Sequence, residues 1–343
     1  MITANIRDVA SLAQVSVGTV SNVLNKSKKV SPGTERRVLD AIETLGFVRN
    51  DAARQLRVGQ SRSVGMMVLD VSNPFFTDVA RGVEDTLASV SRSLLLGNSA
   101  EDARREADYL NLFEEQRVAG LLITPVGDVA SRLERLRQRG SPAVLVDRHG
   151  NAENFSSVSV DDARGGFLAL DHLLSLGRTR PVFIGGSPSI VQVRQRLEGA
   201  RSAIEQSGRG QLRVIEMPTM SAAAGREAGE RLLALPAGER PDAIFAANDL
   251  LALGVLQALT HEGVRVPDDI ALIGYDDIYF AASSAIPLSS IRQPAQEMGR
   301  AAAELLLAEI EGGTPDEYRD VVFQPELVIR ESTTRNNAAT TRS

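Results

Sequence analysis

The sequence predicts a small all-helical domain followed by an α/β body that contains two doubly wound subdomains. Apolar residues recur at helical spacing through residues 6–45. From Ser63 onward, short continuous apolar runs alternate with helical segments, which is typical of parallel strands buried on both faces. The length agrees, because 343 residues exceed one ordinary domain and suit two or three.

Residues 6–25 predict two short helices joined by a tight turn. Val9 and Ala10 give the first helix an apolar face, and Val20 and Val23 return at helical spacing on the second. A helix-turn-helix presents its second helix to the major groove of DNA. The alternative is a helical hairpin that serves only a core.

Capping residues define the ends of these helices and of a third. Asn5, with Asp8 three residues later, predicts a capped first helix, and Ser16 predicts the start of the second. Ser31 followed by Pro32 predicts the start of a third helix, and Gly46 its end. Three helices then close a core of residues 1–47.

Charge is divided unevenly along the chain. Residues 1–60 hold nine Lys or Arg and five Asp or Glu, a net charge of +4, whereas the remainder carries −10. Phosphate neutralisation depends on one face of a protein, so the local charge supports nucleic-acid binding despite the overall −6.

The first 56 residues resemble the lac repressor (LacI/GalR) family of bacterial transcription regulators. The residues that carry the resemblance are Asp8-Val9-Ala10, Ala13, Val15-Ser16, Thr19-Val20-Ser21, Val23-Leu24-Asn25, Val30-Ser31, Thr34, Leu45-Gly46, Asn50, Ala53 and Leu56. The likeness continues more weakly to about Glu331. It implies an operator-binding dimer whose DNA affinity is controlled by a small molecule.

The resemblance also implies roles for individual residues in DNA binding. Val17, Gly18 and Asn22 face the bases, whereas Ser16, Thr19, Ser21, Asn25, Ser31 and Thr34 contact the phosphate backbone. Because Asn22 is the one hydrogen-bonding side chain of the base-reading trio, we expect modest direct discrimination. Residues 48–62 form a hinge and linker.

The hinge is expected to act in the minor groove. By the resemblance, hinge helices of two subunits pair there, Asn50 and Ala53 lie at the groove, and Leu56 wedges between base pairs and bends the DNA. The alternative is that Leu56 is a linker residue buried against the body.

The body is predicted from its strand and helix pattern. Strands are expected at Val64–Leu69, Leu94–Leu96, Gly120–Ile123, Ala143–Val146, Val182–Ile184, Val214–Ile215, Ala243–Phe245 and Ala271–Ile273. Helices are expected around residues 77–90, 102–115, 129–139 and 294–310. One subdomain is predicted from residues 63–160 and 291–320, the other from 161–290 and 321–331, with a flexible tail over 332–343.

Polar and aromatic side chains follow several of these strands. The body resembles periplasmic sugar-binding proteins, whose ligands lie in a cleft beyond the carboxyl ends of the strands. That resemblance places the effector site at Asn73, Phe75, Phe76, Asp147, Arg148, Gln192, Arg196, Asn248, Asp276 and Gln293. Aromatic faces stack on sugar rings, and carboxylates, amides and guanidinium groups bind hydroxyls.

Some of these residues have a purely structural alternative. Phe75 and Phe76 could be core residues, and Asp249 is expected to cap its helix rather than bind ligand. Asp276 and Asp277 are adjacent and point different ways, so we expect Asp276 alone to reach the ligand.

Composition narrows the remaining classes. The chain has no cysteine, its three histidines lack metal-ligand spacing, and it has neither an apolar signal segment nor a membrane-length apolar run. We therefore expect a cytoplasmic protein, associated with the nucleoid through DNA binding, with no metal or cofactor and no membrane partner.

The function predicted is that of a transcriptional repressor, a homodimer that binds a palindromic operator and is released by a sugar or sugar phosphate. Corepression by ligand and global catabolite regulation remain alternatives within the family. A sugar-binding protein without a DNA role is the alternative from another class. An enzyme is not expected, because no phosphate-loop motif or catalytic-triad spacing is present.

Overall fold

The chain forms two units that divide after Ser61. The computed structural model describes residues 4–25, 30–47, 61–149, 154–312, 315 and 317–334. The predicted hinge residues Asn50, Ala53 and Leu56 lie outside the described residues.

The first unit contains three helices around a small apolar core. They are α1 (Ile6–Leu12), α2 (Val17–Asn25) and α3 (Pro32–Leu45). Val9, Val20 and Val38 are fully buried at their meeting point. The helix-turn-helix pattern of the sequence is therefore confirmed.

Local hydrogen bonds fix the helix ends. The Asn5 Oδ1 accepts from the Arg7 amide at 2.8 Å, and Asp8 accepts from the Asn5 amide, which completes the predicted capping box. Ser16 Oγ accepts from the backbone N–H of Thr19 at 3.0 Å. At the far end, Gly46 adopts a left-handed φ of 56° and ends α3.

The second unit contains two six-stranded sheets. The first has the order β11-β5-β4-β3-β1-β2, and all its strands are parallel. Its strands are β1 (Ser63–Val68), β2 (Ser93–Asn98), β3 (Leu121–Ile123), β4 (Ala143–Val146), β5 (Ser157–Val160) and β11 (Asp320–Phe323).

The second sheet has the order β12-β10-β9-β8-β6-β7 and is parallel except for the antiparallel pair of β12 with β10. Its strands are β6 (Pro181–Gly185), β7 (Arg213–Glu216), β8 (Ala243–Ala246), β9 (Ala271–Asp276), β10 (Ser289–Arg292) and β12 (Glu326–Val328).

Nine α-helices are described in this unit. They are α4 (Pro74–Ser89), α5 (Ala103–Glu115), α6 (Ala130–Gln138), α7 (Asp162–Ser175), α8 (Val191–Ser207), α9 (Ala222–Leu233), α10 (Asp249–His261), α11 (Tyr279–Ser283) and α12 (Ala295–Gly312). Helix α4 begins three residues earlier than expected, because Asn73 caps it and Pro74 occupies its first position.

The chain crosses between the subdomains slightly later than the sequence predicted. Residues 291 and 292 belong to β10 of the second sheet, so the second crossing follows Arg292. Strand β11 pairs with β5 of the first sheet through Phe323, whereas the sequence assigned residues after 320 to the other subdomain. That boundary was wrong, because pairing with β5 gives the first sheet its outermost strand.

The predicted start of a flexible tail at residue 332 is also wrong. Ser332 and Thr333 are buried, and Ser332 Oγ accepts from the Ser289 amide at 2.8 Å. Thr333 Oγ1 bonds His172 Nε2 at 2.9 Å. The body therefore extends through these residues. No helix in the described part of the chain is long and apolar enough to span a membrane.

Candidate nucleic-acid interface and ligand cleft

Two of the predicted base-reading residues, Val17 and Gly18, are exposed at the start of α2, and the third, Asn22, follows one turn later. Val17 is 40% exposed and Gly18 is exposed, whereas Asn22 is half-buried. Val20 and Val23 of the same helix are buried in the three-helix core. The apolar packing thus leaves the start of α2 open to a partner.

The hydroxyl groups predicted to contact phosphates occur in two pairs. Ser16 Oγ and Thr19 Oγ1 are 2.9 Å apart, and Ser31 Oγ donates to Thr34 Oγ1 at the same distance. Ser21 is half-buried on α2. Asn25 is the last residue of α2, and its side chain lies outside the description.

Gly18 has no steric reason to be glycine. A Cβ at this position would meet only Ser16 Oγ, at an ordinary contact distance of 3.6 Å, and the backbone is helical. Glycine inside a helix is less stable than alanine by roughly 0.5–1 kcal/mol. The open space beside it suits close approach of another surface.

In the second unit, a cavity lies between the carboxyl ends of the two sheets. Its enclosed volume is about 30 Å³, and the depression including its open mouth is about 440 Å³. The lining residues are Leu69, Asp70, Asn73, Phe75, Phe76, Glu101, Asp147, Ile190, Gln192, Val193, Arg196, Met220, Asn248 and Asp276. Eight of the ten predicted effector residues are therefore brought together.

Arg148 and Gln293 do not line this cavity. Arg148 is half-buried and directs Nη1 toward the carbonyl oxygens of Pro125 and Gly127, both at 3.4 Å. Gln293 lies behind the cavity wall, where its Nε2 donates to Asp276 Oδ1 at 2.8 Å. Gln293 thus orients a lining carboxylate.

Hydrogen bonds cross the cavity and connect the subdomains. Asn73, at the start of α4, donates from Nδ2 to Asp276 Oδ2 at 2.9 Å. On the other side, Gln192 of α8 donates to Asp147 Oδ2 at 3.1 Å and also to the Asp147 carbonyl oxygen. Both bonds are buried, so this is a closed cleft whose polar groups bind one another.

Arg196 is the central cation of the cleft and is held on three sides. Its Nε donates to Asp162 Oδ1 at 2.7 Å, its Nη1 donates to the Ala247 carbonyl oxygen at 2.7 Å, and Nη1 lies 3.6 Å from Asp276 Oδ1. The guanidinium also lies 3.7 Å from the centre of the Tyr275 ring. Burial alone would lower the pKa of Arg196, but these neighbours, Asp162 first, raise it.

Two glycines allow this placement of Arg196. A Cβ at Gly166 would lie 2.0 Å from the Arg196 carbonyl oxygen, and one at Gly199 would lie 1.9 Å from that of Ala163. Helices α7 and α8 therefore pack backbone to backbone. Asp162, in the first turn of α7, thereby reaches Arg196 on α8.

Buried carboxylates surround Arg196. Burial raises the pKa of Asp276 to about 6, although Arg196 and the amides of Asn73 and Gln293 oppose the shift. Burial, then the charge of Asp162, raises the pKa of Asp147 well above its usual value. Asp147 Oδ1 is buried without a hydrogen-bond partner in the described structure.

Asn248, and not Asp249, caps α10. The helix is capped by Asn248, whose Oδ1 accepts from the Leu251 amide at 2.9 Å. Asp249 instead accepts from Ser290 Oγ at 2.7 Å and the Ile278 amide at 2.8 Å, so its predicted capping role was wrong. Asn248 still lines the cleft.

The side chains of Asp276 and Asp277 point in different directions, as expected. Asp276 faces the cavity, whereas Asp277 pairs with Arg292 at 2.8 Å and with Arg330 at 2.6 Å. Both residues have a positive φ, 102° and 53°, which directs the adjacent carboxylates to different sides.

Six lining residues were not selected from the sequence: Leu69, Asp70, Glu101, Ile190, Val193 and Met220. Asp70 follows β1 and Glu101 follows β2, so their position after a strand was a usable signal. The supporting role of Asp162 had no such signal, because an acidic residue in the first turn of a helix is common. The described residues contain no group of three or more potential ligands placed to hold a metal ion.

Comparison with known proteins agrees with this architecture. The profile described as bacterial regulatory proteins, lacI family, matches residues 5–50, and that of the periplasmic binding protein-like domain matches residues 170–333. The HTH-type transcriptional repressor PurR of Aliivibrio fischeri (strain ATCC 700601 / ES114) is 34% identical over 332 residues, which cover 96% of this chain and 98% of that protein. The chain belongs to the lacI family.

Two solved structures extend the comparison. The lac repressor dimer bound to operator and an anti-inducer matches with a TM-score of 0.80 and 25% identity, covering 96% of this chain and 99% of that one. A LacI family transcriptional regulator from Enterococcus faecium with bound ribose matches with a TM-score of 0.71 and 30% identity, covering 79% and 98%. This lacI family member is thus a DNA-binding transcriptional regulator with an effector-binding domain, and a sugar-binding protein without a DNA role is not favoured.

Proposed function

We propose that this protein is a repressor that binds a palindromic operator as a homodimer and releases it when a small polyhydroxylated ligand, a sugar, occupies the cleft. The observation that carries the proposal is the closed cavity in which eight predicted effector residues meet. Ribose bound to the Enterococcus faecium relative supports the sugar class.

The chemistry of the lining suits a sugar. Phe75 and Phe76 meet edge to face with ring centres 5.1 Å apart and contribute apolar surface to the cavity. Carboxylates and amides beside them accept from and donate to hydroxyl groups. Phe75 and Phe76 are also buried, so they serve the core and the cleft together.

Ligand entry requires the subdomains to move. Small-molecule pockets usually enclose roughly 300–1,000 Å³, whereas this cavity encloses about 30 Å³. Opening breaks the Asn73–Asp276 and Gln192–Asp147 hydrogen bonds, and ligand hydroxyls replace them. The ligand thereby changes the relation between the subdomains, which controls the operator-binding state.

Exposed apolar residues support a homodimer. Leu95 and Leu96 are 37% and 44% exposed on β2, an edge strand of the first sheet. Tyr279 and Phe280 of α11 are 77% and 52% exposed. Apolar surface of this kind on both subdomains suits a self-complementary interface, and the lac repressor structure is a dimer on operator.

The remaining parts of the proposal rest on family membership. Hinge helices that include Asn50, Ala53 and Leu56 pair at the operator centre, and Leu56 bends the DNA. The protein acts on DNA in the cytoplasm and is nucleoid-associated, and it has no catalytic activity toward its ligand. Incubation with a bound sugar should return that sugar unchanged.

Operator binding in the presence of sugars tests the proposal. Binding sites are first selected from random DNA with the full-length protein, and affinity is then measured by fluorescence anisotropy with a panel of pentoses, hexoses and their phosphates. At least one sugar should weaken operator binding. By reciprocity, operator should weaken binding of that sugar by the same factor.

Two outcomes would contradict this function. If no sugar changes operator affinity, the sugar-effector assignment is wrong. If a sugar strengthens operator binding, the ligand is a corepressor and the proposed direction of control is wrong.

A further inference from the structure

The two walls of the cleft differ in charge. On the wall formed by the first sheet, Asp70, Glu101 and Asp147 follow β1, β2 and β4. Among the described lining residues Arg196 alone is cationic, and it belongs to the opposite wall together with Asp276. Three carboxylates therefore face Arg196 across the cavity, and a fourth, Asp276, lies on the same wall as Arg196.

Arg196 is already committed to its own wall. Its charge is shared by Asp162 at 2.7 Å and Asp276 at 3.6 Å, and the Ala247 carbonyl oxygen accepts from Nη1. An anionic ligand would consequently be surrounded by carboxylates with no cation available to it. Phosphorylated sugars do not fit this arrangement.

Two carboxylates of the first wall, Asp147 and Glu101, keep acceptor capacity, whereas Asp70 accepts from the Ser72 amide at 2.9 Å and from Ser72 Oγ at 2.5 Å. Asp147 Oδ1 is buried and accepts no hydrogen bond from the described structure. Burial, then the charge of Asp70, raises the pKa of Glu101, and no hydrogen bond to its carboxylate opposes the shift. Asp147 Oδ1 and the Glu101 carboxylate are therefore the acceptors of this wall that still need donors, since Gln192 already donates to Asp147 Oδ2.

Arg148 does not donate to the carboxylates of the first wall. Arg148 adjoins Asp147 in sequence but lies outside the lining, and its Nη1 faces the Pro125 and Gly127 carbonyl oxygens. Burial, then the charge of Arg194, lowers the pKa of Arg148, whereas Asp128 and Glu106 oppose the shift. Arg196 is therefore the one cation among the described lining residues, and its charge only partly opposes the rise in the pKa of Asp147.

We propose that the ligand of this cleft is a cationic sugar, a polyhydroxylated ring that carries a protonated amine facing the Asp70, Glu101 and Asp147 wall. An ammonium group has three donors and no acceptor, which complements a wall made of acceptors. This inference rests on the proposed function, because it specifies the charge of the sugar assigned to the same cleft.

The test compares matched sugars that differ in one substituent. Binding to the full-length protein is measured by calorimetry at pH 6.5 for D-glucosamine, D-glucose and D-glucose 6-phosphate, and for the corresponding galactose and mannose sets. We expect at least one amino sugar to bind about tenfold or more tightly than its hydroxyl parent, a ratio typical of one added charge-assisted hydrogen bond.

Two variants locate the effect. Asp147→Asn keeps the shape of the side chain, and asparagine accepts the left-handed φ of 53° at this position. Asp147→Asn and Glu101→Gln should each reduce the preference for the amino sugar over its hydroxyl parent to within about twofold. Asp171→Asn, the same change at an exposed site on α7, should keep the preference. Circular dichroism verifies that each variant is folded.

Each remaining outcome overturns the inference. Equal or tighter binding of a neutral parent or a phosphate shows that the ligand is not cationic, as does a preference that survives both variants. If a neutral or phosphorylated sugar nevertheless weakens operator binding, the proposed function stands and this inference alone fails. If no sugar of any charge binds, both fail.

Discussion

The predicted base-reading residues of α2 and the residues that line the cleft differ in the number of polar side chains that they offer to a ligand. On α2, Val17 and Gly18 are exposed and offer no hydrogen-bonding side chain. In the cleft, Asn73, Gln192 and Arg196 are buried and already hydrogen-bonded to carboxylates. One surface has few polar groups, whereas the other has many that bind one another.

This difference separates the sources of specificity at the two sites. Several polar side chains of the cleft, among them Asn73, Gln192 and Arg196, are held by hydrogen bonds before a ligand arrives, so part of the cleft is preorganised. The start of α2 is exposed, and under the proposed base-reading role DNA shape and the pairing of subunits would supply much of the discrimination. Changes in the cleft should therefore cost stability, whereas changes on α2 should cost affinity.

The largest expected effect is at Arg196. Arg196→Met leaves Asp162 and Asp276 buried without their cation, which should lower the free energy of unfolding by about 3–5 kcal/mol. Urea unfolding followed by circular dichroism measures it. Arg194→Met is the matched control, because Arg194 is exposed on the same helix and lies 3.8 Å from Glu198. Similar losses in both variants would show that Arg196 does not hold the cleft.

The next effect concerns pH. A folded-state pKa of about 6 for Asp276, against 3.8 for the free group, means that the folded protein keeps a proton that the unfolded chain has released. The free energy of unfolding should therefore fall by about 3 kcal/mol as pH rises through this interval, and Asp276→Asn should remove that slope. Urea unfolding of both proteins at successive pH values measures the difference. Parallel profiles would contradict the shift.

A smaller effect is expected on DNA. Asn22→Ala should weaken operator binding by about 1–3 kcal/mol and relax the preference at one base pair. Ser31→Ala, which removes a predicted phosphate contact, should weaken binding to all sequences alike. Anisotropy against a set of single-base operator variants distinguishes these patterns. A uniform loss for Asn22→Ala would refute its reading role.

The smallest effect is at Gly18. Gly18→Ala should stabilise the first unit by roughly 0.5–1 kcal/mol, because the added methyl group meets open space and alanine favours the helix. Operator affinity should nevertheless fall, since the methyl group enters the reading face. Gly33→Ala on α3 is the control, because a Cβ there also meets nothing within 4 Å but lies outside the base-reading trio. Unchanged operator binding by Gly18→Ala would show that the bases do not approach this position.

The sequence predicted the fold and most of the cleft because local patterns carry that information. Helix spacing, the Asn5 cap and Gly46 determine the first unit, and buried apolar runs such as Ala143–Val146 determine the strands. Residues at strand ends, including Asp147 of the first sheet and Asp276 of the second, then meet because the carboxyl ends of both parallel sheets border one cleft.

The sequence predictions were wrong where contacts between segments distant in the chain determine the position of a residue. Because β11 pairs with β5, the subdomain boundary differs from the predicted one. Because Ser332 forms hydrogen bonds with Ser289 and Leu272, part of the predicted tail belongs to the body. Arg148 follows a strand as Asp147 does, but the loop carbonyls at Pro125 and Gly127 turn it from the cavity. Sequence spacing contains none of these contacts.

The positive φ angles at the cleft also constrain how such a protein can change its ligand. Glu101, Asp147 and Asp276 adopt φ values of 59°, 53° and 102°, a region that branched and bulky side chains disfavour. Asparagine and aspartate tolerate it best after glycine. Replacement at Asp147 and Asp276 is therefore easiest between carboxylate and amide, so the backbone directs the evolution of this site toward changes of charge before changes of shape.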